Sequence, residues 1–183
     1  MIVYKLCRID KKGLLHPLFV GTDEIFYIGR PIYATDDHKR KGEKIFSKLG
    51  WLKYRPGLHL TLIPYAPHIG IKDENGIIRY MHDDTVWVEC YIPDGLKNYT
   101  PEARKNGWRG GKFSAQRACL DYIPNNGWYW YTTNPNAKAD WLISSQMTII
   151  RILKDNEVTK KCAESDTIAL VHRNNEYLKR IAA

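Results

Sequence analysis

Apolar and polar residues alternate from Ile2 to Ile9, the period-2 pattern of a strand, and Lys11-Lys12-Gly13 then turns the chain. Further extended runs are expected around Leu18 to Val20 and Ile25 to Ile28. Asp36 to Lys48 reads as a basic loop passing into a short helix, with Ile45, Phe46 and Leu49 as its apolar side. Leu58 to Ile63 looks like a short buried strand. The Asn75-Gly76 pair between apolar flanks is the strongest hairpin signal in the chain. Thr85 to Ile92 is β-branched and aromatic and stops at Pro93-Asp94-Gly95, so it predicts the clearest strand.

In the second half, Pro101 to Gly111 is basic and glycine-bearing, and Ser114 to Tyr122 has the pattern of a capped helix. Trp128 to Thr133 predicts a strand closed by Asn134-Pro135-Asn136. Trp141 to Leu153 predicts two strands interrupted at Ser144-Ser145. From Asp155 the pattern turns helical, with Asp155 and Asp166 as expected N-caps and Ile168, Val171, Tyr177, Leu178 and Ile181 mainly on one face. These elements predict an α+β fold, a curved, mostly antiparallel sheet with C-terminal helices packed on it. The expected organisation is one domain over residues 1–183, a β-rich body to about 153 and a helical part over 154–183.

At 183 residues, 44% of them apolar, the chain can bury a core without disulfides or a structural metal. Charge before residue 10 argues against a signal peptide, and no apolar run is long enough to span a membrane. Cys7, Cys90, Cys119 and Cys162 are far apart in apolar stretches, so reduced, buried thiols and a cytoplasmic location are expected. The net charge of +8 changes the picture more, because such an excess attracts polyanions and makes nucleic acid or a nucleoprotein the leading partner class.

Two basic patches carry that charge. One gathers Lys39, Arg40, Lys41, Lys44, Lys48, Lys53 and Arg55. The other gathers Lys97, Arg104, Lys105, Arg109, Lys112 and Arg117, interleaved with Tyr99, Trp108 and Phe113. Cations beside aromatics hold phosphate backbones and stack bases, whereas a solvated basic surface with buried aromatics is the bland alternative.

Prolines, glycines and histidines cluster between Arg55 and Gly70, where a stiff loop presenting Arg55, His59 and His68 could grip a phosphate or transfer a proton. The alternative is a shaped crossover with both histidines bonded to backbone. His59-Leu60-Thr61 matches half of a two-histidine phosphoesterase signature, but a second His-x-Thr or His-x-Ser is missing. Metal-ligand spacing, a phosphate-binding glycine loop and a nucleophile elbow are missing too, so no metal or cofactor is expected. His82-Asp83-Asp84 reads as a solvated turn.

Taken together, Tyr54-Arg55-Pro56-Gly57-x-His59, Ala66-x-His68-Ile69-Gly70, Val86-Trp87-Val88-Glu89, Thr133-Asn134-Pro135-Asn136 and Trp141-Leu142-Ile143-Ser144 resemble a module of phage and plasmid polyvalent proteins. The likeness runs from about Tyr54 to Val158. It departs where the module carries Trp-His and a Gly-Asp pair, here Leu58-His59-Leu60-Thr61, and where the module has an acidic residue near Gln146. The resemblance implies a counter-defence protein of a mobile element, with an anti-CRISPR role as one form. Its partner would then be nucleic acid or a host nucleoprotein such as a guide-loaded CRISPR nuclease. Two other readings stand beside it. One is an NAD-dependent ADP-ribosyltransferase-like enzyme using Arg55 or His59, though its late strand offers Asp140 and Gln146 and no glutamate. The other is a structural accessory domain whose tryptophans and tyrosines form core and interface.

Overall fold

In this computed structural model, residues 1–19, 21–35, 44–47, 50–72, 74–80, 82–105, 119–131, 140–170 and 174–182 are described. In chain order the strands are β1 (Ile2–Ile9), β2 (Leu15–His16), β3 (Pro31–Tyr33), β4 (Lys44–Ser47), β5 (Gly50–Lys53) and β6 (Leu58–Thr61). They continue with β7 (Gly70–Lys72), β8 (Ile78–Tyr80), β9 (Thr85–Tyr91), β10 (Lys97–Asn98), β11 (Gly127–Tyr131), β12 (Trp141–Ser144) and β13 (Gln146–Ile152). The helices are α1 (Thr100–Lys105), α2 (Asp155–Ala163) and α3 (Asn174–Ala182). The architecture is α+β and mostly antiparallel: β1 pairs antiparallel with β2 and β9, β12 with β11 and β6, β13 with β9, β4 with β5 and β7 with β8, while β10 runs parallel to β11. The chain forms two compact units, one made of Met1, 32–61 and 92–147, the other of 2–31, 62–91 and 148–183.

In the second of these units β9 pairs with β1 along nearly its whole length, from Ile2 opposite Tyr91 to Arg8 opposite Thr85. β13 joins the other edge of β9, with its register shifted between Ile149 and Arg151. Val86, Trp87, Val88 and Cys90 are fully buried, which explains why this strand reads as an unbroken apolar run rather than an alternating one. Trp87 donates its indole N–H to the Tyr80 hydroxyl at 3.0 Å, so the largest buried side chain also has its polar atom satisfied. All four cysteines are buried free thiols.

Helix α3 is bonded to β9 through Asn174. Asn174 is wholly buried, accepts from the Trp87 N–H (3.2 Å) and donates to the carbonyls of Trp87 (3.0 Å) and Leu153 (2.8 Å). The amide therefore adds side-chain bonds at the end of the ladder, beside the Leu153 N–H that also donates to the Trp87 carbonyl. Helix α2 begins with the Glu157 carboxylate accepting the Lys154 N–H at 2.7 Å. Asp155 is the first helical residue rather than the cap, and its carboxylate takes the Asn175 N–H at 3.3 Å.

Other expectations are corrected. Lys44–Ser47 is not helical but pairs with Gly50–Lys53, Phe46 opposite Trp51, because short apolar runs fit either period and the neighbouring run supplies a ladder. Leu18–Phe19 form a bend, and of Ile25–Ile28 only Phe26 bridges to a neighbouring segment, at Leu15. Part of the basic stretch after Pro101 is helical as α1. Asn98 takes the Thr100 N–H, Glu102 sits in the first turn, and Arg104 and Lys105 lie in the last, a charge order that suits the helix dipole. Of the helix expected over Ser114–Tyr122, residues 119–122 are irregular and the rest lies outside the described residues. Asp166 has φ +51 and follows the end of α2, where Thr167 N–H returns to the Cys162 carbonyl; it closes a helix instead of opening one.

Candidate functional site

The unit formed by Met1, 32–61 and 92–147 carries the residues of chemical interest in three neighbouring strands ordered β11-β12-β6. The register sets Tyr129 opposite Ile143 and Ile143 opposite His59; Tyr131 lies opposite Trp141 and Trp141 opposite Thr61. Opposed residues share a face of the pleat, so Tyr129, Tyr131 and His59 belong to one side, with Trp128 and Trp130 on the other.

His59 is held at both ring nitrogens. Nε2 lies 2.9 Å from the Arg55 carbonyl oxygen and Nδ1 lies 2.8 Å from the Tyr131 hydroxyl. A carbonyl only accepts, so Nε2 carries the proton and, in the neutral ring, Nδ1 accepts from Tyr131. Tyr131 keeps that proton because burial pushes its pKa up to about 12, against the opposing field of Arg55. The imidazole is thereby a strut between turn and strand rather than a base awaiting a substrate.

Arg55 begins the turn into β6, and its guanidinium carbon lies 4.8 Å from the Tyr131 ring centroid. The turn reaches this position because Gly57 adopts φ +125 and lies directly on Ile143. A Cβ at Gly57 would fall 2.4 Å from Ile143 Cγ2. The Arg-Pro-Gly sequence is thus the means by which a cation is laid over the aromatic row of β11.

A second cationic group lies at the start of that row. The ammonium of Lys97 stands 4.7 Å from the Tyr99 ring centroid, and Tyr99 packs where a side chain on Gly127 would otherwise sit, 2.4 Å from Tyr99 Cε2. Tyr99 N–H bonds to the Trp128 carbonyl and Trp130 N–H to the Thr100 hydroxyl, which fastens β10 and α1 to β11. Lys97, Arg104 and Lys105 are exposed. Trp128 and Trp130 are half-exposed and meet edge to face at 5.3 Å, while Tyr129 and Tyr131 between and beside them are buried.

Of the other residues expected to contact nucleic acid, Lys39, Arg40, Lys41, Trp108, Arg109, Lys112 and Arg117 lie outside the described residues, and Lys44 is described only as part of strand β4. Arg55 and His59 are brought together. His68 is exposed on a turn of 3-10 helix, Pro67–Ile69, in the other compact unit. Asp84 in the His82–Asp84 turn binds Arg8 by two contacts, 2.9 and 2.6 Å. Among the described residues no three His, Cys, Asp or Glu side chains gather as a metal site, and no helix is long and apolar enough to cross a membrane. The roles of Tyr129 and Tyr131 were hidden in an aromatic run that reads equally as core. The available signal was its period of two, which separates a buried tyrosine row from a half-exposed tryptophan row.

The fold and this site define an α+β protein with an aromatic strand flanked by cations. Compared with known protein families, characterised proteins and solved structures, the chain matches none.

Proposed function

We propose that the chain is a non-catalytic counter-defence protein of a mobile element that binds nucleic acid, or a nucleoprotein such as a guide-loaded CRISPR nuclease. The observation that carries the binding reading is the exposed Lys97, Arg104 and Lys105 beside half-exposed Trp128 and Trp130, in a chain of net charge +8. Cations supply a sequence-independent attraction to phosphates and the indole faces supply stacking area. Engagement of both His59 nitrogens favours binding over proton-transfer chemistry at that residue. The mobile-element setting rests on the motif series from Tyr54 to Ser144, and a basic surface suits competition for nucleic acid better than mimicry of it.

Fluorescence anisotropy of labelled duplex DNA, single-stranded DNA and structured RNA, repeated across salt concentrations, tests this reading. Binding is expected with a steep inverse salt dependence. The Arg104→Glu/Lys105→Glu variant should weaken it and flatten the logarithmic slope by roughly 2, one contact each. Absence of binding at low salt, together with no effect on a guide-loaded nuclease, would sink the proposal.

A further inference from the structure

Among the described residues, two polar side-chain atoms in the unit carrying β11 are buried without a hydrogen-bond partner: Nε of Arg55 and the hydroxyl of Tyr129. Buried polar groups are almost always paired, and an unsatisfied donor on a charged group is the costlier kind. Here two occur on one face of one small unit. The Arg55 guanidinium lies 4.8 Å from the Tyr131 ring centroid, and the Tyr131 and Tyr129 rings are 6.4 Å apart. Arg55 is near enough to Tyr129 for its charge to oppose the effect of burial on that phenol. The Leu120 backbone bears on the Tyr129 oxygen and lowers its pKa against burial, a donor's contact that leaves the hydroxyl's own proton without an acceptor. Tyr131 has already given its hydroxyl to His59, so Tyr129 is the phenol of the row left with a proton to donate.

Both orphaned groups are donors, and one is a permanent cation. A water answers one donor with its oxygen, whereas an acceptor-only anion with several oxygens answers both donors and matches the charge of Arg55. We propose that Arg55 and Tyr129 form an interior oxyanion site that takes the phosphoryl group of a small ligand, with the Tyr131 ring as the floor under the guanidinium. Phosphate suits the site because its several oxygens accept from Arg and Tyr at once, and the chain's net charge of +8 draws multiply charged anions. The site goes beyond the surface-binding reading and does not depend on it: it is a discrete interior pair, whereas Lys97, Arg104 and Lys105 form an exposed cationic edge. The Gly57 turn holds the guanidinium in place, since any side chain there meets Ile143.

The test follows thermal unfolding of the full chain by tryptophan fluorescence at constant ionic strength, with inorganic phosphate, a nucleoside 5′-monophosphate and the bare nucleoside as probes. Phosphate should raise the midpoint in a saturable manner. A tighter response to the monophosphate assigns the source as a nucleotide, an equal one as free phosphate; the bare nucleoside should do nothing. Tyr129→Phe should leave the ligand-free protein as stable or more stable, since it removes an unpartnered hydroxyl, yet weaken phosphate about tenfold or more. Arg55→Lys keeps the charge, loses the Nε donor and should weaken phosphate similarly. Arg104→Glu/Lys105→Glu should weaken phosphate only slightly, through the lowered net charge, and far less than Tyr129→Phe, which separates failure of this site from failure of the cationic edge. A midpoint that climbs without saturating is the general exclusion effect of phosphate and overturns the proposal. Equal affinity in Tyr129→Phe, or a Tyr129→Phe protein destabilised without ligand, overturns it as well.

Discussion

Replacing Gly57 by alanine isolates what the Arg-Pro-Gly turn does. Two costs add. At φ +125 an L-residue is strained, which costs about 1–3 kcal/mol in sparsely populated backbone regions. The new Cβ would also stand 2.4 Å from Ile143 Cγ2, where ordinary carbon contacts are about 3.5–4.0 Å. Ile143 is wholly buried between Tyr129 and His59 in the strand register, so it has no open space to move into. Overpacking of such a core adds about 1–3 kcal/mol, for a total of roughly 2–6. Gly95 is the internal control: it has φ +84 and no atom within 4 Å of its ideal Cβ, so Gly95→Ala carries strain alone. Urea titrations followed by tryptophan fluorescence should give Gly57→Ala a lower midpoint than Gly95→Ala, at similar m-values. Equal losses in the two variants would refute the close approach of the turn to β12, and with it the placement of Arg55 over Tyr131.

Further outcomes follow from individual contacts. Asn174→Ala leaves the Trp87 N–H and the Leu153 carbonyl without their side-chain partner in a buried setting, and should cost about 2–5 kcal/mol in chemical denaturation; a loss below about 1 would mean α3 is not held through Asn174. The buried Cys7 thiol is pushed from 9.0 up to about 12, and Tyr131 from 10.0 up to about 12, both by desolvation. Both stay protonated when folded and ionise sooner when unfolded, so stability should be level below about pH 9 and fall from there to about pH 12; Cys7→Ala should make the fall shallower without moving its onset, since burial also raises Cys90 and Cys162. Glu157, held below its ordinary 4.5 by Arg151 and the Lys154 N–H, contributes stability present above that value and lost as pH falls through its lowered one; Glu157→Gln should flatten the acid arm.

Local chemistry was sufficient for the strongest strands and turns. The alternation over Ile2–Ile9, the β-branched run from Thr85, the Asn75-Gly76 turn and the break at Ser144-Ser145 each agree with their own neighbours in sequence, and the structure has β1, β9, the β7–β8 hairpin and the separate strands β12 and β13 there. Where a run was short, as at Lys44–Ser47, its partner strand decided the element. The single-residue devices were not legible. Nothing around Asn174 distinguishes an amide that bonds to the β9 backbone from one that caps a helix, and an aspartate such as Asp166 suits either end of a helix.

The site divides in the same way. Composition alone establishes the excess of positive charge, and the Arg55–His59 stretch stands out because proline and glycine restrict the backbone whatever surrounds them. Only the tertiary structure decides that both His59 nitrogens are taken, one within the turn and one by a tyrosine 72 positions away. It also decides that Arg55 and Tyr129 are left with buried, unanswered donors. Periodicity reports which face a residue occupies, but hydrogen-bond satisfaction depends on strand register between distant segments, and register is a property of the folded chain.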